Sequence, residues 1–181
     1  MDIGSVGGLL EAKEYESLLY PRIKKQAKSV LGIDVNEEGI KALKARGENV
    51  VCANAETYVA NPPVDVVVMG AVLEHMDNPG LAIDCAWKSL KKDGELIITV
   101  GNARYFGIAW NGKVALGHKF LFAPNNLKNL LDAHGFRVVD IQNFRPEGST
   151  NAIGWLYERL FLKLRPQNSL HFGVLAKKVE L

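Results

Sequence analysis

Four short runs of Val, Ile and Leu, separated by longer amphipathic stretches, limit this chain to very few folds. They are "SVLGIDV" (29–35), "NVVCA" (49–53), "VDVVVMG" (64–70) and "GELIITV" (94–100). Near-continuous apolar strands suit a sheet covered on both faces, and strands alternating with helices are the pattern of βα units around a parallel sheet. The expected class is α/β with a doubly wound sheet. "FRVVDIQNF" (136–144) and "LHFGVLAKKVEL" (170–181) read as two further strands.

The helices between them have recognisable ends. Asn36 can cap a helix that carries Glu37 and Glu38 in its first turn, favourable at the positive dipole end, and Gly47 can close it. Ile83, Ala86, Trp87 and Leu90 fall at i, i+3, i+4 and i+7, which predicts a helix ending before Gly94. A third is expected from Pro124, with Leu127, Leu130, Leu131 and His134 on one face before Gly135. "TNAIGWLYERLFLKLRP" (150–166) is helical by period, and its apolar face is bordered by Arg159, Lys163 and Arg165. Such a face suits packing on its own sheet, on a second subunit in a homodimer, or in peripheral contact with a membrane surface.

A chain of 181 residues is most simply one domain, large enough to bury a sizeable core without disulfides or metal. With a formal charge of +2 and basic residues scattered along the chain, nucleic acid is not expected as a partner. Cys52 and Cys85 lie in apolar stretches without metal-ligand spacing, so buried free thiols in a reducing compartment are expected. No apolar run approaches the length of a membrane span, and no charged and then apolar leader opens the chain. The reading is a cytoplasmic protein without stable membrane insertion.

Three features fall at the carboxyl ends of successive strands, where open α/β sheets bind ligands. The first is the turn Gly4-Ser5-Val6-Gly7-Gly8, which brings backbone amides against a ligand without Cβ obstruction. The second is Asp34, whose carboxylate can accept two hydrogen bonds from the vicinal hydroxyls of a ribose. The third is Asn54-Ala55-Glu56, where an amide side chain and backbone groups can read an adenine edge. Each also has a structural reading: a plain loop, a helix start, a local turn. A dinucleotide fingerprint from Gly4 would need glycines where Val6 and Leu9 stand, and no Walker loop is present. A nucleoside ligand without a pyrophosphate is favoured.

"MDIGSVGG", "VLGIDVNEEGIKAL", "VCANAE", "VDVVVMGAVLEHMDNPGLAI" and "KKDGELIITVGNARYF" together resemble the class I S-adenosylmethionine-dependent methyltransferases, within the small-molecule group sometimes called type 11 or ubiquinone-biosynthesis-like. The resemblance runs from residue 1 to about residue 144, and "VLEHMDNPG" is its most specific stretch. It implies a Rossmann-like, mostly parallel seven-stranded sheet whose last strand is antiparallel, with S-adenosylmethionine as the cofactor. Asp2, Gly4, Ser5 and Gly8 would line its amino-acid part, and Asp34 would hold its ribose hydroxyls, with Val35 a further contact. Asn54, Ala55 and Glu56 would flank adenine, and Gly70 and Ala71 would pass beneath the methionine part.

The chain departs from the family where Val6 replaces a turn glycine, where Asn54 replaces a common Asp, and in a longer first crossover, "LLEAKEYESLLYPRIKKQAK". Met1 to Ile3 would be all of the first strand, so upstream residues or a partner chain are expected to strengthen it.

Methyl transfer needs orientation, and a base when the acceptor is a hydroxyl. His75 is the base candidate because imidazole is the side chain that ordinarily titrates nearest neutrality, with Glu74 beside it and His118 the second candidate. All three also have structural readings. In a Glu-x-x-Glu-His metal-holding arrangement the first Glu would fall at Ala71, so no metal is expected. Segments 103–123 and 145–167 are expected on the acceptor side, with Tyr105, Phe106 and Trp110 either shaping a pocket or covering the sheet edge. The expected activity is methyl transfer, foremost to oxygen, on a small-molecule or glycan- or lipid-linked acceptor. The rivals are a catalytically silent nucleoside-binding or scaffold protein of the same fold and, weakened by the glycine spacing, an NAD-linked oxidoreductase.

Overall fold

A computed structural model describes residues 1–7, 12–105, 117–144 and 169–180. Its seven described strands are β1 (Asp2–Ile3), β2 (Gly32–Asp34), β3 (Val50–Cys52), β4 (Val64–Gly70), β5 (Leu90–Gly101), β6 (Phe136–Phe144) and β7 (His171–Lys178). They form one sheet in the order β3-β2-β1-β4-β5-β7-β6. β7 runs antiparallel to both β5 and β6, and the other neighbours are parallel. This is the expected mixed sheet of a Rossmann-like methyltransferase. The described helices are α1 (Leu19–Lys24), α2 (Glu37–Ala45), α3 (Pro79–Ser89) and α4 (Pro124–Ala133). The predicted helix at 150–166, Phe106 and Trp110 lie outside the described residues.

Both faces of the sheet are covered, as the apolar strands require. Gly32 and Ile33 are neighbours in β2 and so point to opposite faces. A Cβ on Gly32 would come within 2.8 Å of the Tyr20 ring, whose side chain belongs to a cluster with Val6, Val30, Ile40, Leu43 and Val50. Ile33 instead joins the larger core of β4 and β5 with Ile83, Leu127 and Leu131. The two-residue β1 sits between β2 and β4, where Asp2 pairs with Gly32 on one side and Val68 on the other.

The predicted helix ends hold in detail. The Asn36 side chain accepts a hydrogen bond from the Gly39 amide at 2.9 Å, and Gly47 takes a left-handed φ of 79°. Asn78 accepts from the Leu81 amide at the start of α3. The expectation that this helix continues through Leu90 to Gly94 is corrected. Ser89 is fully buried, donating to the Cys85 carbonyl at 2.7 Å and accepting from the Ala60 amide at 2.9 Å, and the chain turns extended at Leu90 to pair with Val64. Cys52 also differs from expectation: it is exposed at the end of the edge strand β3, whereas Cys85 is buried.

Val6 explains its own departure from a glycine turn. Its side chain leaves the turn and packs on α2, so close that a Cβ on Gly39 would stand 2.1 Å from Val6 Cγ1. Alanine is intrinsically better than glycine inside a helix by about 1 kcal/mol. Overpacking at this contact should outweigh that gain. Gly39→Ala is therefore expected to lower stability by about 1–3 kcal/mol in denaturant titration, and adding Val6→Ala should make the pair less destabilised than the sum of the singles. Strict additivity would contradict the contact.

Candidate functional site

The strand ends bring most of the sequence-predicted residues to one edge of the sheet. After β1 the chain reverses at Gly4, whose φ is 83° and whose absent Cβ would lie 2.9 Å from Val72 Cγ2. Side chains rarely adopt that backbone, and here the space is also taken. The Val6 amide then donates to Asp34 Oδ2 at 3.0 Å, while Asp34 Oδ1 accepts from the Asn36 amide at 3.0 Å. One carboxylate thus joins the β1 turn to the start of α2. Each oxygen keeps a further lone pair, so hydroxyl donors can still be received. Val35 next to it is 67% exposed, an apolar side chain left open at a strand end.

Two buried polar atoms under the turn lack partners. Asp2 is 1% exposed with Oδ2 unpaired, and Ser5 Oγ is enclosed and unpaired. Burial raises the Asp2 carboxyl to about 7, opposed by the N-terminal amino group and reinforced by Asp34. The open carboxyl and hydroxyl, the spare lone pairs of Asp34 and the exposed Val35 suit a ligand that carries a cationic group, a vicinal diol and a flat apolar ring.

On the β3 side the structural readings are realised. Asn54 Oδ1 accepts from the Glu56 amide at 2.9 Å, and its carbonyl receives the Thr57 and Tyr58 amides. Ala55 points into the core. Glu56 Oε1 accepts from the Asp77 and Asn78 amides at 2.8 and 3.1 Å, which anchors the start of α3. On the other side of β1, at the end of β4, lie Gly70 and Ala71, the latter at a left-handed φ of 49° with its amide donating to the Thr99 carbonyl. Leu19 of α1 covers Gly70, where a Cβ would stand 2.5 Å from Leu19 Cδ2. Sequence reading missed Leu19, because nothing in the long crossover marks which residue returns to the sheet. Gly8 lies outside the described residues.

The acceptor-side candidates gather after β4. Glu74 is 3% exposed, and its carbonyl accepts the Lys119 and Phe120 amides at 2.8 and 3.2 Å, bringing His118 alongside. His75 is exposed, and its Nδ1 lies 2.9 Å from the Gly117 carbonyl oxygen. A carbonyl can only accept, so that ring nitrogen carries a proton, and in the neutral ring the lone pair falls on Nε2. The His118 ring meets His75 edge-on at 4.7 Å between centroids. His171, absent from the sequence-based candidates, starts β7 opposite Gly101 and so reaches the same edge. Its signal was the reversed strand: in an antiparallel β7 the first residue, not the last, lies at this edge. Among the described residues, no group of three His, Cys, Asp or Glu side chains is placed to hold a metal, and no helix is long and apolar enough to cross a membrane.

Comparison with known proteins agrees with this geometry. Residues 1–141 match the model of a methyltransferase domain family. The mitochondrial ubiquinone biosynthesis O-methyltransferase of Rattus norvegicus is 29% identical over 164 residues, covering 78% of this chain and 45% of the rat protein. The chain spans less than half the length of the curated relatives it matches. Among solved structures, an S-adenosylmethionine-dependent methyltransferase from Archaeoglobus fulgidus superposes with a TM-score of 0.65 at 22% identity, covering 98% of this chain and 84% of that one. The N-methyltransferase NodS of Bradyrhizobium japonicum, in complex with S-adenosyl-L-homocysteine, gives 0.63 at 15% identity, over 99% and 76%. The family model, spread over most of the described sheet and its cofactor edge, settles the assignment: this chain belongs to the S-adenosylmethionine-dependent methyltransferase family.

Proposed function

We propose that the chain transfers a methyl group to a hydroxyl oxygen of a small-molecule acceptor, with His75 as the general base. The observation that carries this reading is the Gly117 carbonyl at His75 Nδ1, which leaves a lone pair on the exposed side of the ring. Asp2, Gly4, Ser5 and Gly8 would surround the amino-acid part of S-adenosylmethionine, and Asp34 its ribose. Val35, Asn54, Ala55 and Glu56 would lie about the adenine, with Gly70 and Ala71 under the methionine part. The bound cofactor supplies a methyl group on a sulfonium, already activated for in-line displacement. His75 Nε2 would take the acceptor's hydroxyl proton, so that the oxygen can accept the methyl group the cofactor would supply, the displaced electron pair leaving with the thioether product.

The rat relative, an O-methyltransferase by name, supports oxygen over nitrogen. Free Cys52 and Cys85 support a reducing compartment such as the cytoplasm. A silent scaffold is the second reading, favoured by Leu19 lying over Gly70.

Labelled S-adenosylmethionine offered with matched panels of phenols, alcohols and amines tests the proposal. Label is expected in methyl ethers; label only in methylamines would overturn the oxygen assignment, and none in any product would favour the scaffold. His75→Ala should lower turnover about tenfold or more while cofactor affinity stays nearly constant, whereas unchanged turnover would move the base to His118.

Asp2 adds a pH signature. Its carboxyl, raised from 3.8 to about 7 by burial, holds a proton more tightly folded than unfolded. Its contribution to stability is full below the unfolded value, falls as pH rises, and is gone above about 7. Asp2→Asn should therefore gain on the parent between pH 5 and 8 in unfolding titrations, and a constant difference across that range would refute the buried acid.

A further inference from the structure

Near the acceptor-side turn, two enclosed atoms have no hydrogen-bond partner among the described residues: Glu74 Oε2 and His171 Nδ1. They are brought together around Gly101. The Gly101 amide donates to Glu74 Oε1 at 3.4 Å, and His171 is the antiparallel partner of Gly101 across the β5–β7 ladder. A Cβ on Gly101 would meet only His118 Cε1, at 3.8 Å, so the glycine leaves room between the three side chains. Phe144 of β6 stacks on the other side of the His171 ring at 6.0 Å between centroids.

The two open atoms are chemically complementary. An ionised carboxylate oxygen only accepts, and a neutral imidazole carries one N–H to donate. Left apart, each buried group is destabilising. We propose that Glu74 and His171 form a coupled carboxylate–imidazole pair, joined directly or through one enclosed water, and that His171 is a positioning residue for the acceptor-side base. The inference rests, for its catalytic part, on the methyl-transfer reading above.

The titratable groups facing His171 among the described residues are Glu74, from the turn after β4, and His118, from the segment before α4; β5 and β6 bring Gly101 and Phe144. Burial pushes the His171 ring below the usual imidazole range, Glu74 opposes that shift, and His118 adds to it. A neutral His171 orients the carboxylate without neutralising it. The Glu74 carboxyl then keeps a fixed orientation beside the neighbouring base when the acceptor's proton arrives.

Two measurements on the full chain test the pair. Nitrogen NMR of the histidine rings should show His171 neutral at pH 6.5 in one fixed tautomer, and Glu74→Gln should disturb its ring shifts. Identical His171 shifts in the variant would overturn the pairing, whether or not any acceptor has been found. With an acceptor in hand, His171→Phe should lower kcat about fivefold or more and move the acid limb of the kcat–pH profile, with cofactor affinity unchanged. His171→Asn, which keeps a donor toward Glu74, should recover most of the rate. Full kcat and an unmoved pH profile in His171→Phe would overturn the positioning role, while absence of turnover in the parent would count against the methyl-transfer reading alone.

Discussion

The carboxylate of Asp34 is the constraint on which the cofactor edge depends. By accepting the Val6 amide on one oxygen and the Asn36 amide on the other, it ties the turn after the shortest central strand to the first turn of α2. β1 contributes only two ladder residues, and the Asp34 clamp adds to the Gly4 and Ser5 amides, which donate to the Ile33 carbonyl, in holding its turn. The same clamp directs Val6 away from the ligand side and onto Gly39. A turn that has exchanged a glycine for valine keeps its shape because a glycine has been placed in the helix above it. Polar anchoring and apolar packing thus act on opposite sides of one residue.

Much of this edge could be read from residues alone, for a physical reason. Asp34, Asn36 and the glycines act over a few residues, through caps, turns and strand ends whose chemistry is local. The sheet order could be read only through family resemblance, since β7 reaches past its neighbour in sequence, β6, to pair with the distant β5. Where local reading failed, a tertiary contact had intervened. Leu90 has the helical spacing, yet it is a strand residue because buried Ser89 closes α3 with two hydrogen bonds. Asn54 and Glu56, expected to flank adenine, also carry a local role: their oxygens hold the β3 turn and the start of α3. Those hydrogen bonds place the backbone around Ala55.

The acceptor side was less legible because it is assembled from three distant segments. Glu74 and His75 come from the turn after β4, His118 from the approach to α4, and His171 from the start of β7. Their meeting depends on the Glu74 carbonyl receiving the Lys119 and Phe120 amides and on the antiparallel course of β7. No spacing pattern in the chain encodes either. His75 was legible as a candidate because it sits beside a strand end, and the Gly117 carbonyl at its Nδ1 is a contact that no local pattern announces.

The account stands on the edge formed by Asp2, Ser5, Asp34 and Val35 being a site for S-adenosylmethionine. Calorimetric titration of the chain with S-adenosylmethionine and with S-adenosylhomocysteine measures this most directly. One ligand per chain with micromolar affinity, lost when the same titration is made with a nicotinamide dinucleotide, is the predicted result. No heat from either adenosyl ligand at high micromolar concentration, with the chain shown to be folded, would contradict it.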